Sequence, residues 1–254
     1  MEAKINYGID APKVIRNLLM IGVMLILAAF AAAPLLSHSW LLMLDGAFLY
    51  TGFFCVAEGL LMIWYSKFGK LKQRDRMLKL HSFTGEEKVL DIGTGRGLLM
   101  IGAAKHLTSG SAIGIDIWNN EDLSGNNAAR TLENARLEGV KDKVEVLNEN
   151  IVLTTFASNS FDLILSNLCL HNIYESRSRR AACEEIYRLL KPGATAIIAD
   201  FRHTAMYKSI FEELGMQVKK YGPYIFNTFP PLTIILAEKD RSKIDLLGDE
   251  TKPR

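Results

Sequence analysis

Three glycines at alternate positions, in Lys88-Val89-Leu90-Asp91-Ile92-Gly93-Thr94-Gly95-Arg96-Gly97, restrict this 254-residue chain more than any other segment. The apolar residues before them read as a short buried strand, and Leu98 to Leu107 after them as a helix. A strand that turns directly into a helix needs backbone without Cβ, and the same backbone lets a ligand approach the main chain closely. The spacing is GxGxG, which differs from the dinucleotide pattern GxGxxG. Asp91 lies two positions before Gly93. A dinucleotide site holds a pyrophosphate at the helix N-terminus, whereas a carboxylate beside the turn suits the cationic end of a ligand.

The pattern then repeats. Ala112 to Trp118 (AIGIDIW) is a second strand ending in Asp116, about 19 positions after Gly97. A carboxylate at that place hydrogen-bonds ribose hydroxyls. A helix is expected from about Asp122 to Leu137, a third strand at Val144–Leu147 before Asn150 and Ile151, and a fourth at Ser160–Asn167. Arg177 to Lys191 reads as a helix with i,i+4 charge pairs, closed by Pro192-Gly193. Its Arg177, Arg179 and Arg180 read as a solvated face. Ala194–Ala199, Val218–Tyr221 and Leu232–Ala237 are further strands, with a helix from His203 to Leu214 between the first two. Strands alternating with helices imply a parallel sheet covered on both faces, with ligands beyond the carboxyl ends of its strands. Asp91, Gly93, Gly95, Asp116, Asn150 and Asn167 all fall at such ends.

The N-terminal quarter has a different character. Leu18 to Leu36 carries no charge over 19 residues, a helical length close to a bilayer's hydrocarbon core. A second apolar run covers Trp40 to Tyr65, interrupted by Asp45 and Glu58. The short link between them implies an antiparallel transmembrane hairpin, about 18–36 and 40–65. Lys4, Lys13 and Arg16 precede it, and Lys67, Lys70, Lys72, Arg74, Arg76 and Lys79 come after it. The positive-inside bias places both chain ends and the catalytic-type domain in the cytoplasm. Trp40, Trp64 and Tyr65 are expected in an aromatic belt. Residues 66–85 read as a basic amphipathic linker suited to anionic headgroups. Residues 86–238 form the α/β domain, and 239–254 a polar tail.

Composition excludes several classes. Residues 81–237 hold 16 Lys/Arg against 18 Asp/Glu, not the basic excess of a nucleic-acid binder. Cys55, Cys169 and Cys183 are scattered singly, which suits reduced thiols and no metal cluster.

Residues 86–237 resemble the class I S-adenosylmethionine-dependent methyltransferases, near the ubiquinone, menaquinone and sterol branch. VLDIGTGRG looks like that family's first motif and AIGIDIW its second. SFDLILSNLCLHNI looks like its fourth, and EIYRLLKPGATAIIADF is similar to the helix and strand that succeed the fourth motif in that family. The resemblance implies a Rossmann-like seven-stranded mostly parallel sheet, with the last strand antiparallel. It implies S-adenosyl-L-methionine as cofactor. Gly93, Thr94, Gly95 and Gly97 would line the methionine moiety, with Asp91 beneath. Asp116 would hold the ribose and Ile117 touch adenine. Asn150, where the family usually has Asp, and Ile151 would face the base. Asn167 and Leu168 would flank the transferred methyl group.

Candidate general bases are His171, just after the fourth strand, and His203, beside Asp200 and Tyr207. The expected acceptor is small and partitions into the bilayer: a lipid, quinone, sterol or apolar thiol. No nucleic acid is expected as partner. The loop Tyr221–Pro231 (YGPYIFNTFPP) is a candidate apolar lid. The alternatives are an NAD(P)-dependent oxidoreductase, which the glycine spacing disfavours, and a non-catalytic membrane scaffold, which the intact glycines and Asp116 argue against.

Overall fold

The computed structural model describes residues 4–35 and 39–241. Two long helices, α1 (Pro12–Ala32) and α2 (Ser39–Trp64), pack against each other as antiparallel neighbours. Their seam is built on small residues. A Cβ on Gly22 would lie 2.7 Å from the Gly52 carbonyl oxygen, and one on Gly52 would lie 2.9 Å from that of Gly22. Gly59 repeats the approach one heptad on, against Leu19. Small residues at such a crossing let two backbones come close. The outward faces carry Met24, Leu27, Phe30, Met43, Tyr50 and Phe53, all exposed. Both helices are long and apolar enough to cross a membrane. Of the expected link Ser37-His38-Ser39, the first two residues lie outside the described residues, as does the Trp40 side chain, while Ser39 already begins α2.

The second helix does not end at the proposed linker. It passes through a single π-turn, Tyr65–Gly69, into α3 (Lys70–Leu78). The expected headgroup-facing stretch is thus corrected in part. Met77 and Leu78 turn into the core against α4 (Leu98–Ala104), while Phe68 and Leu71 stay exposed. Tyr65, expected in the aromatic belt, is 2% exposed and points into the protein; Trp64 remains on the surface.

The sheet has the order β3-β2-β1-β4-β5-β7-β6. Its strands are β1 (Lys88–Ile92), β2 (Ser111–Asp116), β3 (Val144–Asn148), β4 (Phe161–Asn167), β5 (Leu190–Asp200), β6 (Gln217–Tyr224) and β7 (Leu232–Glu238). The first five pair in parallel, and β7 runs antiparallel to both β5 and β6. Central strands bury both faces. Val89 joins Leu99, Met100 and Ala135 on one side, while Leu90 joins Ile186, Tyr207 and Phe211 on the other. Helices α3, α4 and α5 (Ala128–Leu137) cover the first face, and α6 (Ser176–Leu189) and α7 (Thr204–Glu213) the second.

Several helix boundaries differ from expectation: α1 covers Pro12–Ala32 and not 18–36, starting six residues early with Pro12 at its first turn, and α4 ends at Ala104, three residues before Leu107. Helix α5 starts at Ala128 and not near Asp122, because the Asn127 side chain caps Arg130 N at 2.9 Å. Residues 122–124 pair instead with the N-terminal segment: Ala11 N donates to Asp122 O, and Ser124 N to Ile9 O. Helix α6 stops at Leu189. Leu190 is already extended and Lys191-Pro192-Gly193 lies within β5, accommodated by a register shift opposite Phe161–Leu163. The residue before a proline disfavours helical backbone, so the helix yields to the strand early.

Candidate functional site

The chain reverses its direction of travel across the sheet between β1 and β4, and ligand crevices open there, beyond the carboxyl ends of the strands. Gly93, Gly95 and Gly97 all have positive φ, at 68°, 54° and 85°. Cys169 packs directly over Gly93, so a Cβ there would collide with its thiol. Gly93 N and Thr94 N both donate to Ile115 O, which ties the turn to β2. Gly97 begins α4 and packs against Ile101 and Thr131; it supports the turn without lining the cleft.

The acidic residues at these strand ends differ in environment. Asp91 is 2% exposed; its Oδ2 accepts from Thr94 Oγ1 at 2.8 Å and Met100 N at 2.9 Å. Burial nevertheless pushes its pKa up to about 7. Asp116 Oδ2 accepts from Gly95 N at 2.8 Å, and Oδ1 from Trp118 N and Asn126 Nδ2. Asp116 therefore fixes the glycine loop as well as facing the cleft.

Two connected clefts result. The larger is lined by Gly93, Gly95, Asp116, Ile117, Asn150, Ile151, Asn167 and Leu168. Eight of the sequence-selected residues thus converge in one place. The smaller adds Asp91 and Thr94 and shares Gly93, Gly95 and Asn167. Ile117 is 63% exposed and presents an apolar face. Asn150 turns its Oδ1 to Val152 N, 3.0 Å away, so that acceptor is already engaged by its own loop. Leu168 holds a φ of 54°, and Asn167 Oδ1 is buried with no protein partner.

Sequence reasoning missed part of the lining. Asp10, Asp122, Leu123, Glu149 and Cys169 belong to the larger cleft, and Tyr7, Lys70 and Arg96 to the smaller. Asp10, Tyr7 and Lys70 come from the ends of the helical hairpin, and no local motif marks them. Burial raises the Cys169 pKa well above the usual thiol range, so it lines the site as a neutral group.

Of the two histidines, His171 sits on a short 3-10 turn after β4. Its Nδ1 lies 2.8 Å from Asp200 Oδ1, its backbone N donates to Asp200 Oδ2 at 3.0 Å, and its ring meets Phe201 edge-on. Asp200 is fully buried at the end of β5. The carboxylate expected beside His203 is in fact the partner of His171. His203 starts α7 with φ 61°, and neither it nor His171 lines either cleft, although Cys169 and Asn172 on both sides of His171 line the larger one. The 225–231 loop also lines neither cleft. It docks on the helix below the hairpin, with Asn227 O against Gly69 and Arg76 over the Tyr224 ring at 4.0 Å.

The charges of the lining bear on what the cleft can hold. The larger cleft is lined by Asp10, Asp116, Asp122 and Glu149 and, among the described residues, by no Lys, Arg or His. Two phosphates of a dinucleotide would meet like charge there, whereas a sulfonium meets opposite charge.

Residues 90–198 match the model of the methyltransferase domain family. The ubiquinone/menaquinone biosynthesis C-methyltransferase of Hydrogenovibrio crunogenus is 30% identical over 155 residues, 61% of this chain and 54% of that protein. The chain spans about half the length of such curated relatives. Among solved structures, an S-adenosylmethionine-dependent methyltransferase from Aquifex aeolicus aligns with TM-score 0.53 and 21% identity. The alignment covers 66% of this chain and 90% of that one. An O-methyltransferase family protein from Burkholderia thailandensis aligns with TM-score 0.57 and 13% identity, over 74% of this chain and 60% of its own. The fold is that of these enzymes, and the matched domain indicates S-adenosylmethionine as the cofactor.

Proposed function

We propose that the chain is a methyltransferase held in a bilayer by its helical hairpin, with the catalytic domain on the cytoplasmic side. It would transfer the methyl group of S-adenosylmethionine to a small, apolar or membrane-partitioning acceptor such as a lipid, quinone, sterol or apolar thiol. The observation that carries the reading is the meeting of the glycine turn with Asp116, Asn150 and Asn167 in one acidic cleft whose larger part has, among the described residues, no cationic side chain. The exposed apolar faces of α1 and α2 support the membrane placement, since a soluble protein rarely leaves such a surface uncovered. The C-methyl and O-methyl relatives differ in acceptor atom, so they leave that atom open.

The cofactor, when bound, supplies a methyl group already activated by a sulfonium. What this chain supplies is alignment and water exclusion. Gly93 and Gly95 admit the ligand against the main chain, and Asn167 and Leu168 border the place where the acceptor arrives. His171 is the preferred general base for an acceptor that must lose a proton. Asp200 holds the His171 backbone and stands 2.8 Å from Nδ1, close enough for a small rotation of the ring to engage that nitrogen and leave Nε2 to take the proton.

The test uses full-length protein, cofactor with a labelled methyl group and a total membrane extract. Label is expected in the organic phase, and in neither phase with Gly95→Arg, whose Cβ alone would approach Leu123 Cδ2 at 2.7 Å. Label confined to the aqueous phase would remove the apolar acceptor, and label in neither phase with the native protein would remove the activity. In the same assay His171→Gln should lower kcat by roughly 10²–10⁴-fold. An unchanged kcat would exclude the base.

A further inference from the structure

Residues 6–11 cross the glycine turn as a strap, immediately before α1 begins. Asn6 exchanges hydrogen bonds with the Asn134 side chain, Asp10 forms a bridge with Leu123, and Asp10 N donates to Ser66 Oγ. Lys70, 3% exposed, donates to Tyr7 O at 3.1 Å, Gly8 O at 3.0 Å and Asp10 Oδ1 at 3.1 Å. Both cytoplasmic ends of the hairpin thereby meet at the wall of the cofactor cleft. Asp10 lines both clefts and stands where they join.

We infer that Asp10 is a binding residue for the α-ammonium group of the cofactor's amino-acid end, held in place by Lys70 and Ser66. This rests on the assignment of S-adenosylmethionine to the site. Four observations support it. Asp10 is 30% exposed at the cleft, so a ligand reaches it. Its carboxylate accepts from Lys70 and Ser66, which leaves part of its capacity of about four acceptor positions unused. Asp91, the other carboxylate of the smaller cleft, is buried and has one oxygen committed to Thr94 and Met100. Arg96 lines the same small cleft, is 6% exposed, and its Nε is buried with no protein acceptor. A carboxylate and a guanidinium in one small cleft match a zwitterion, the ammonium and carboxylate of an amino acid. Lys70 has all three donors engaged and acts as a positioning residue.

The test is calorimetry on the full chain in detergent micelles, with two ligands. S-Adenosylhomocysteine carries the amino-acid group, and 5′-methylthioadenosine carries the same nucleoside without it. The native protein should prefer the first. Asp10→Asn should weaken the first by about tenfold or more and leave the second within about twofold, as loss of a charge-assisted contact requires. Asp10→Glu should recover part of the preference. Equal weakening of both ligands would overturn the assignment, since Asp10 would then only close the strap. An unchanged preference in Asp10→Asn would overturn it as well. Failure of the native chain to bind either ligand would instead remove the cofactor reading on which the inference stands.

Discussion

At the scale of single residues, Asp91 shows how a site conflicts with stability. Its pKa is raised from 3.8 to about 7, so the folded chain keeps a proton that the unfolded chain has lost over that range. The favourable contribution is complete below about pH 4 and disappears as pH rises through about 7, because the unfolded state then binds fewer protons. Asp91→Asn keeps an acceptor for Thr94 Oγ1 and Met100 N without the buried charge. Its melting temperature should exceed that of the native chain by several degrees at about pH 8 and by little at about pH 4.5. Melting curves at the two pH values check this; an equal difference at both would mean that the ionised form is not what costs stability. A cationic ligand bound beside Asp91 would favour the ionised form and offset this cost.

At the scale of elements, the hairpin seam is fixed by carbonyl contacts at Gly22 and Gly52. Gly52→Leu places a side chain where only 2.7 Å separates a Cβ from Ile26 Cγ1, and 2.9 Å from the Gly22 oxygen. Backbone cannot give way as a flexible side chain does. The expected result is separation of α1 from α2 at a cost on the order of 1–3 kcal/mol or more. Cysteines placed on facing turns of the two helices should then cross-link much more slowly than in the native background. Unchanged cross-linking would show that the seam tolerates the bulk. The π-turn at Tyr65–Gly69 is the second device at this scale. One extra residue in the helical repeat rotates the next face, which turns Lys70, Gln73, Met77 and Leu78 inward.

At the scale of the whole molecule, the segments flanking the hairpin line the clefts: Tyr7 and Asp10 before α1, and Lys70 at the start of α3. The strap leads directly into α1, and α2 runs through the π-turn into α3. The hairpin is therefore expected to stay in the membrane pellet after an alkaline carbonate wash, with the catalytic domain attached. Recovery in the supernatant would sink the proposal that α1 and α2 cross a bilayer.

The sequence by itself determined the local chemistry. The β1 turn with its glycines, Asp116 beyond it at the end of the next strand, the strand–helix alternation and the two apolar runs are all short-range patterns, because close backbone approach and burial on both sheet faces leave periodic traces. Only the tertiary structure decided which distant groups meet. It paired Asp200 with His171, set Gly97 behind the cleft, docked the 225–231 loop on the helix below the hairpin, and brought Asp10 and Lys70 to a glycine turn far along the chain. Such meetings depend on sheet order and on the rotation imposed by one π-turn. They are properties of packing, and packing between segments as far apart in sequence as Asn6 and Asn134, or Asp10 and Lys70, leaves no local pattern to read.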